Sequence, residues 1–316
     1  MKLPLYFLKQ RQSLPLEAKI ISSKSKITQW YNYNQGKVYV SLSGKDSTVL
    51  LYLVRSIYPN VPAVSVNTGI EHPENIAFIK NNIENVIWLK PEMSFKDVIE
   101  SAGYPVVSKM TSRKLHTLQN PSKKNQLSRH LYKTGYTSDG KYSPRSKLPD
   151  KWHYLIENEP GIKFSHKCCD IMKIRPIKDF EKQAGLKGYV GTLASESDAR
   201  RKAYLMTGCN NYNSDGYSKP LSFWLEQDIL QYIYEEKIQI SEAYGDIVKN
   251  ENGTFQTKKE SRTGCMYCLF GCHLEKEPNR IQRLKVQYPK LYDYCIREQD
   301  GLGFGKVMKL LNIPYE

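Results

Sequence analysis

Hydrophobic and polar positions along this chain fall into blocks that alternate between two periods. Apolar residues from Leu16 to Tyr33 recur at mixed helical spacing and stop at Asn34-Gln35-Gly36, so residues 1–36 read as a helical lead-in. Lys37-Val38-Tyr39-Val40-Ser41-Leu42 reads as a buried strand, and the polar turn Ser43-Gly44-Lys45-Asp46-Ser47 follows at once. Residues 48–57 predict an apolar helix stopped by Pro59-Asn60. Residues 61–66 predict a second strand, 73–82 a helix and 86–89 a third strand. Strands and helices alternating at these lengths predict an α/β fold, a doubly wound and mostly parallel sheet with helices on both faces.

The pattern breaks between about 104 and 163, where Lys, Ser, Tyr, Pro and Gly dominate. That segment reads as a basic, largely irregular insertion. Order is expected to resume with a helix from about Cys169, a strand at 188–191 and a helix at 223–235. The last fifty or so residues read as helical and then frayed. The domains expected are a lead-in at 1–36, a nucleotide-binding α/β domain at 37–235 containing the insertion, and a helical, cysteine-bearing region at 236–316. No internal repeat interrupts this order.

Composition narrows the class. With 316 residues, 40% hydrophobic and 25% charged, the chain matches a soluble globular protein with a sizeable core. No apolar run approaches the roughly 18 residues of a membrane span. The start, Met1-Lys2-Leu3-Pro4-Leu5-Tyr6-Phe7-Leu8-Lys9, does not read as a signal peptide, so a cytoplasmic protein without a membrane partner is expected. The net charge of +15, from 47 basic and 32 acidic residues, favours a polyanionic partner such as nucleic acid or a nucleotide. A solvated basic surface is the plain alternative. The excess concentrates between Lys109 and Lys151, which predicts a local basic patch.

The turn at 43–47 carries the first candidate chemistry. A strand-to-helix turn aims backbone N–H groups and a helix N-terminus at one point, which favours an anion. Gly44 admits close approach, Lys45 adds a cation, and Ser43 and Ser47 add hydroxyls. Asp46 is placed to cap the helix or to help hold Mg²⁺. An ordinary polar turn with a capped helix is the competing reading.

Here a resemblance becomes visible. Ser43–Ser47 is similar to the S-G-G-x-D-S signature of the N-type ATP pyrophosphatases of the PAPS reductase-like (PP-loop) group, one glycine short. Asn67-Thr68-Gly69-Ile70-Glu71-His72-Pro73-Glu74 resembles that group's D-T-G-x-x-F-P-E segment, with Asn67 for the usual Asp. The run from Gly191 through Glu196 and Ser197 to Arg200 resembles G-x-R-x-x-E-S-x-x-R, with Leu193 for the first arginine. Pro220-Leu221 through Trp224 to Asp228-Ile229 resembles P-L-x-x-W-x-x-x-D-I. The resemblance covers roughly residues 37–275. It implies nucleotide contacts from Ser43, Gly44, Lys45, Asp46, Ser47, Asn67, Thr68, Gly69, Gly191, Glu196, Ser197 and Arg200. Packing accounts equally for Trp224 and Ile229, and a surface i,i+4 pair accounts for Glu196 and Arg200.

Seven cysteines, at 168, 169, 209, 265, 268, 272 and 295, point to metal or redox work when the cytoplasm is reducing. Cys168-Cys169 and Cys265-Met266-Tyr267-Cys268 can supply four thiolates to one centre if the fold joins them. An iron–sulfur cluster and Zn²⁺ both accept four cysteines. The arrangement resembles the [4Fe–4S] ligand set of adenylyl-sulfate reductases and of the C protein of DNA phosphorothioation systems. That resemblance implies Cys168, Cys169, Cys265 and Cys268 as ligands, with structural zinc and plain buried thiols as alternatives. Cys272 reads as a competing ligand, a free thiol or a catalytic nucleophile, His273 as structural, and Cys209 and Cys295 as core.

Three functions compete. The first is ATP-dependent thiolation, with Lys45 and Asp46 catalytic, ATP, Mg²⁺ and a [4Fe–4S] cluster as cofactors, and a nucleic acid as acceptor. The resemblance implies a cysteine desulfurase as sulfur donor, and a homodimer is compatible with it. The second is reduction of adenylyl sulfate or its 3′-phosphorylated form. Those reductases carry a C-terminal E-C-G-x-H segment, to which residues 301–316 bear no likeness. The third is a module that senses nucleotide or redox state without turnover.

Overall fold

The computed structural model describes residues 3–157 and 161–316. The first two residues of the expected lead-in and residues 158–160 of the expected insertion lie outside the described residues. The chain divides into two compact units. One comprises Met1–Asn67, Glu71–Lys90 and Pro176–Thr263; the other comprises Thr68–Ile70, Pro91–Arg175 and Gly264–Glu316. Each has its own hydrophobic core.

The first unit is the α/β fold the alternation predicts. Helices α1 (Leu5–Gln12) and α2 (Leu16–Tyr33) precede β1 (Val38–Ser41), α3 (Lys45–Arg55), β2 (Ala63–Val66), α4 (Pro73–Asn82) and β3 (Val86–Leu89). In the second unit come α5 (Phe95–Ala102), β4 (Val106–Val107), α6 (Lys109–Gln119) and α7 (Gln126–Thr134). Helix α8 (Arg175–Ala184) leads back to β5 (Lys187–Val190), α9 (Asp198–Thr207), α10 (Glu226–Glu235) and the strands β6 (Ile247–Lys249) and β7 (Phe255–Thr257). The second unit closes with β8 (Leu269–Phe270), α11 (Arg280–Gln287), α12 (Pro289–Ile296) and α13 (Phe304–Leu310).

The central sheet has the order β3-β2-β1-β5, all parallel. Its strands are apolar runs because helices flank the sheet: Val38, Tyr39 and Val40 are all buried. The chain leaves β1 towards β2 on one side, while β5 lies on the other. The loops after β1 and β5 therefore flank the point where strand order reverses, the place where open α/β sheets bind ligands.

Helix α2 fixes the neighbouring α10. Buried Lys19 pairs with Asp228 at 2.7 Å, and Asp228 also accepts the Leu225 amide at 2.6 Å, closing the first turn of α10. Ser23 Oγ donates to the Pro220 carbonyl at 3.0 Å and accepts from Trp224 Nε1 at 2.9 Å. Trp224 is thus a core anchor, as packing alone requires.

Two expectations change. Between 104 and 163 the chain forms α6 and α7 rather than a largely irregular stretch. On α6 the apolar stripe is interrupted by polar positions that end up buried, Thr111, Ser112 and Lys114, so polarity hid the helical period, and α7 buries no residue at all. The tail is packed rather than frayed: Ile313 is buried, Asn279 donates to the Pro314 carbonyl at 2.6 Å, and Tyr292 donates to Tyr315 at 2.7 Å. No helix among the described residues is long and apolar enough to cross a membrane.

Candidate functional site

The turn after β1 is built from its own serine. Ser47 Oγ accepts the Ser43 and Gly44 amides at 2.8 and 3.0 Å and donates to the Gly44 carbonyl at 2.7 Å. Ser47 therefore shapes the loop, a role nearer to a cap than to a phosphate donor. Asp46, the residue expected to cap, sits in the first turn of α3. Its Oδ1 is buried, accepts no hydrogen bond and lies 3.5 Å from Lys45 Nζ. A carboxylate oxygen so placed fits a role in holding Mg²⁺.

Lys45 is almost fully buried, at 4% exposure. Its ammonium donates to the Ser261 carbonyl at 3.0 Å and to Glu226 Oε1 at 3.2 Å, with the Tyr244 ring 5.5 Å away. Its amide donates to Tyr244 Oη at 3.1 Å, and that phenol bonds Thr263 Oγ1 at 2.5 Å. The β6–β7 hairpin makes this possible. Its stems pair Lys259 N–H with the Tyr244 carbonyl at 3.0 Å, so Tyr244 and Ser261–Thr263 arrive together. Gln227 on α10 clamps the hairpin by both amide atoms, donating to the Phe255 carbonyl at 2.9 Å and accepting its N–H at 2.8 Å.

The loop after β5 closes the other side. A Cβ on Gly191 would stand 2.8 Å from Ser47 Cα and 2.9 Å from both Asp46 O and Ser47 N, so only glycine lets this loop lie on the turn. Glu196 accepts the Leu193 amide at 3.0 Å and pairs with Arg200 and, at 3.2 Å, with Arg262. Ser197 caps α9 by accepting the Arg200 amide at 3.2 Å. Arg262 thus supplies a second arginine on Glu196, where Leu193 contributes only its backbone.

Burial, and then the neighbouring Arg262, lowers the Arg200 pKa; burial, and then Arg200, lowers that of Lys219. Arg200, Arg262 and Lys219 are thus neighbouring cations, and Arg200 and Lys219 are partly desolvated. Of the remaining expected nucleotide residues, Asn67 follows β2 in this unit and donates to the Leu89 carbonyl at 2.9 Å. Thr68 and Gly69 belong to the second unit.

In the second unit, one extended segment joins the two cysteine pairs. Tyr104 bridges to Phe164, just before Cys168, with Ser165 N–H on the Tyr104 carbonyl at 2.9 Å. Val106 and Val107 then pair with Leu269 and Phe270, just after Cys268. Cys168, Cys169, Cys265 and Cys268 consequently line one apolar cavity of about 20 Å³ with Ile70, Phe95, Pro105, Met172 and Lys173. A π-helical turn, Asp170–Ile174, follows the first pair. A hydrogen bond from Cys168 lowers the Cys169 pKa, with Lys109 and Lys173 adding to it.

This donor set fits a four-thiolate group, a [4Fe–4S] cluster or zinc. Among the described residues no group of three Cys, His, Asp or Glu is arranged to hold an ion as it stands, and the cavity has room for about one water. Seating a cluster therefore requires the cysteine side chains to rearrange.

The other thiols have a different character. Cys272 is 1% exposed, and burial pushes its pKa up to about 11. Cys209 and Cys295 are buried with raised pKa values as well. Such environments make inert thiols.

A sequence model described as the phosphoadenosine phosphosulfate reductase domain matches residues 37–141 and 81–269, overlapping stretches that together cover most of the chain. The chain belongs to this family. Among solved structures, a phosphoadenylyl-sulfate (PAPS) reductase from Candida auris, in a phosphate complex, is similar over 80% of this chain and 98% of that one. The identity is 12% and the TM-score 0.39. No curated protein matches.

Within the PAPS reductase domain family match lie the turn, the Gly191 loop, both cysteine pairs and the hairpin that carries Tyr244. Sequence reading did not single out Tyr244, Ser261, Arg262, Thr263 or Glu226 as site residues. Tyr244 lies 199 positions from Lys45, and tertiary packing, the Gln227 clamp on the hairpin included, brings it there.

Proposed function

We propose that this chain splits ATP at the turn after β1 and uses the adenylate to replace an oxygen of a nucleic-acid acceptor by sulfur. An acceptor oxygen attacks the α-phosphorus of ATP; the new P–O bond forms as the bond to pyrophosphate breaks. The terminal sulfur of a persulfide on a donor protein such as a cysteine desulfurase then attacks the activated atom, and AMP leaves with the oxygen. An external thiol reductant cleaves the resulting S–S bond, leaving the thiolated acceptor and the donor's thiol. Lys45, Arg200, Arg262 and the first-turn amides of α3 stabilise charge on the leaving pyrophosphate, and Asp46 would hold Mg²⁺. Cys168, Cys169, Cys265 and Cys268 would hold a [4Fe–4S] cluster, which supplies electron-transfer chemistry when bound.

The observation that carries this reading is the burial of the remaining thiols. Cys209, Cys272 and Cys295 are each at most 5% exposed. None resembles the accessible, low-pKa nucleophile that sulfonucleotide reduction uses. Anaerobic incubation with ATP and candidate acceptors, followed by mass spectrometry, tests it: pyrophosphate release with an oxygen-to-sulfur mass change is expected.

A second reading is reduction of adenylyl sulfate or phosphoadenylyl sulfate. The description of the matching sequence model, a phosphoadenosine phosphosulfate reductase domain, favours it. Sulfite formed from either sulfonucleotide with thioredoxin, without pyrophosphate release from ATP, would replace thiolation by this reading.

A further inference from the structure

Between Lys109 and Lys151 the chain carries eleven Lys and Arg against two acids. Helix α7 in this stretch buries none of its residues, and Leu127 on it is 70% exposed. The helix ends at Gly135, whose amide donates to the Leu131 carbonyl at 2.8 Å, and the chain enters a small hairpin. Thr137 N–H donates to the Lys141 carbonyl at 3.0 Å, and Lys141 N–H donates to Thr137 Oγ1 at 3.0 Å. Tyr136 and Tyr142 pair across it as an antiparallel bridge. Their rings lie 5.0 Å apart with 46° between planes, and the residues are 48% and 51% exposed.

The hairpin is held from beneath. Buried Lys114 donates to the carbonyls of Arg145 and Lys147, both at 2.8 Å, and Leu148 N–H reaches the Tyr132 carbonyl at 2.7 Å. The Tyr142 ring packs against Gly135, where a Cβ would stand 2.7 Å from it. Two wet aromatic faces are thus fixed in place on a strongly basic surface. A merely soluble basic surface needs cations but not paired, anchored, exposed tyrosines.

We infer that the α7–hairpin arm with the turn that leads into it, residues 123–147, docks single-stranded nucleic acid. Tyr136 and Tyr142 stack on unpaired bases, and the exposed Lys123, Lys124, Lys133, Lys141 and Arg145 take phosphates. Paired bases in a duplex do not present their faces to such rings, so a single strand is the matching partner. The inference rests on the proposed function for its nucleic-acid acceptor. Strand binding and pyrophosphate release are measured separately, so either can fail alone.

The test is fluorescence anisotropy of the full chain with labelled oligothymidylate, oligouridylate, a duplex and polyglutamate competitor. The two single strands report whether DNA or RNA binds more tightly. Tyr136→Leu with Tyr142→Leu, which leaves charge unchanged, is expected to weaken strand binding about ten-fold per ring with the salt dependence retained. Lys141→Gln with Arg145→Gln, on exposed side chains, is expected to lower the slope of log affinity against log salt by about 0.7 per cation. Absence of strand binding, equal binding to duplex, effective competition by polyglutamate, or unchanged affinity in the tyrosine variant overturns the inference.

Discussion

The Lys45 amide donates to the phenolic oxygen of Tyr244 at 3.1 Å, so a side chain occupies a position on the first turn of α3 that an anion oxygen would take. Tyr244→Phe frees that amide while keeping the ring. One hydrogen bond that competes with ligand is worth about 0.5–1.5 kcal/mol. The variant is expected to bind ATP about two- to ten-fold more tightly by calorimetry. Weaker binding would instead make the phenol a ligand contact.

Two glycines at the turn separate by what their missing Cβ would strike. At Gly44 it would meet Tyr244 Oη at 2.6 Å, the tip of a side chain. At Gly191 it would meet the backbone of Asp46 and Ser47. Gly44→Ala is therefore expected to lower the melting temperature and to be largely restored by adding Tyr244→Phe. Gly191→Ala is expected to cost about 1–3 kcal/mol through overpacking. Tyr244→Phe should not restore it, and equal rescue of both would show that the turn, not the tyrosine, gives way.

The parts of this fold that were legible from sequence are those written in local periodicity. The expected spans for α4 and β3 coincide with the observed Pro73–Asn82 and Val86–Leu89, and the apolar run before Ser43 is β1. The Glu196–Arg200 pair forms, but not across one helical turn: Ser197 between them is the extended cap of α9, so Glu196 stands before the helix. What stayed hidden depends on distant pairing. Val106 meets Leu269 through two-residue strands too short to carry a pattern, yet that ladder gathers the four cysteines. Lys45 was legible as a cation, but its grip by Glu226 and Ser261 comes from segments 181 and 216 positions away.

His116 on α6 gives the second unit a pH dependence. Burial, and then the Lys167 cation, lowers its pKa below the ordinary imidazole range. As pH falls, the unfolded chain protonates first, so it binds more protons than the folded chain in that window. The stabilisation is present above the ordinary imidazole pKa. It is lost as pH falls through that value towards the lowered one. His116→Gln removes this contribution, and its melting temperature should fall less between about pH 7 and 5 than that of the parent chain. An unchanged slope would assign the acid sensitivity to other groups.

The seven cysteines should divide into two classes on substitution. Cys168, Cys169, Cys265 and Cys268 line one cavity, and losing any one removes a ligand from a four-thiolate set. Purified anaerobically, the parent chain is expected to be brown, and each of these four alanine variants pale and depleted of iron. Cys272 sits at 1% exposure in the core of the second unit. Cys272→Ala should stay brown and release pyrophosphate within about two-fold of the parent, while losing about 1 kcal/mol of stability from one missing buried atom. Metal analysis and a turnover assay on the five variants decide the matter. A colourless parent loaded with zinc would replace the cluster, since zinc accepts the same four thiolates. Loss of turnover in Cys272→Ala at unchanged stability would make that thiol part of the chemistry in spite of its burial.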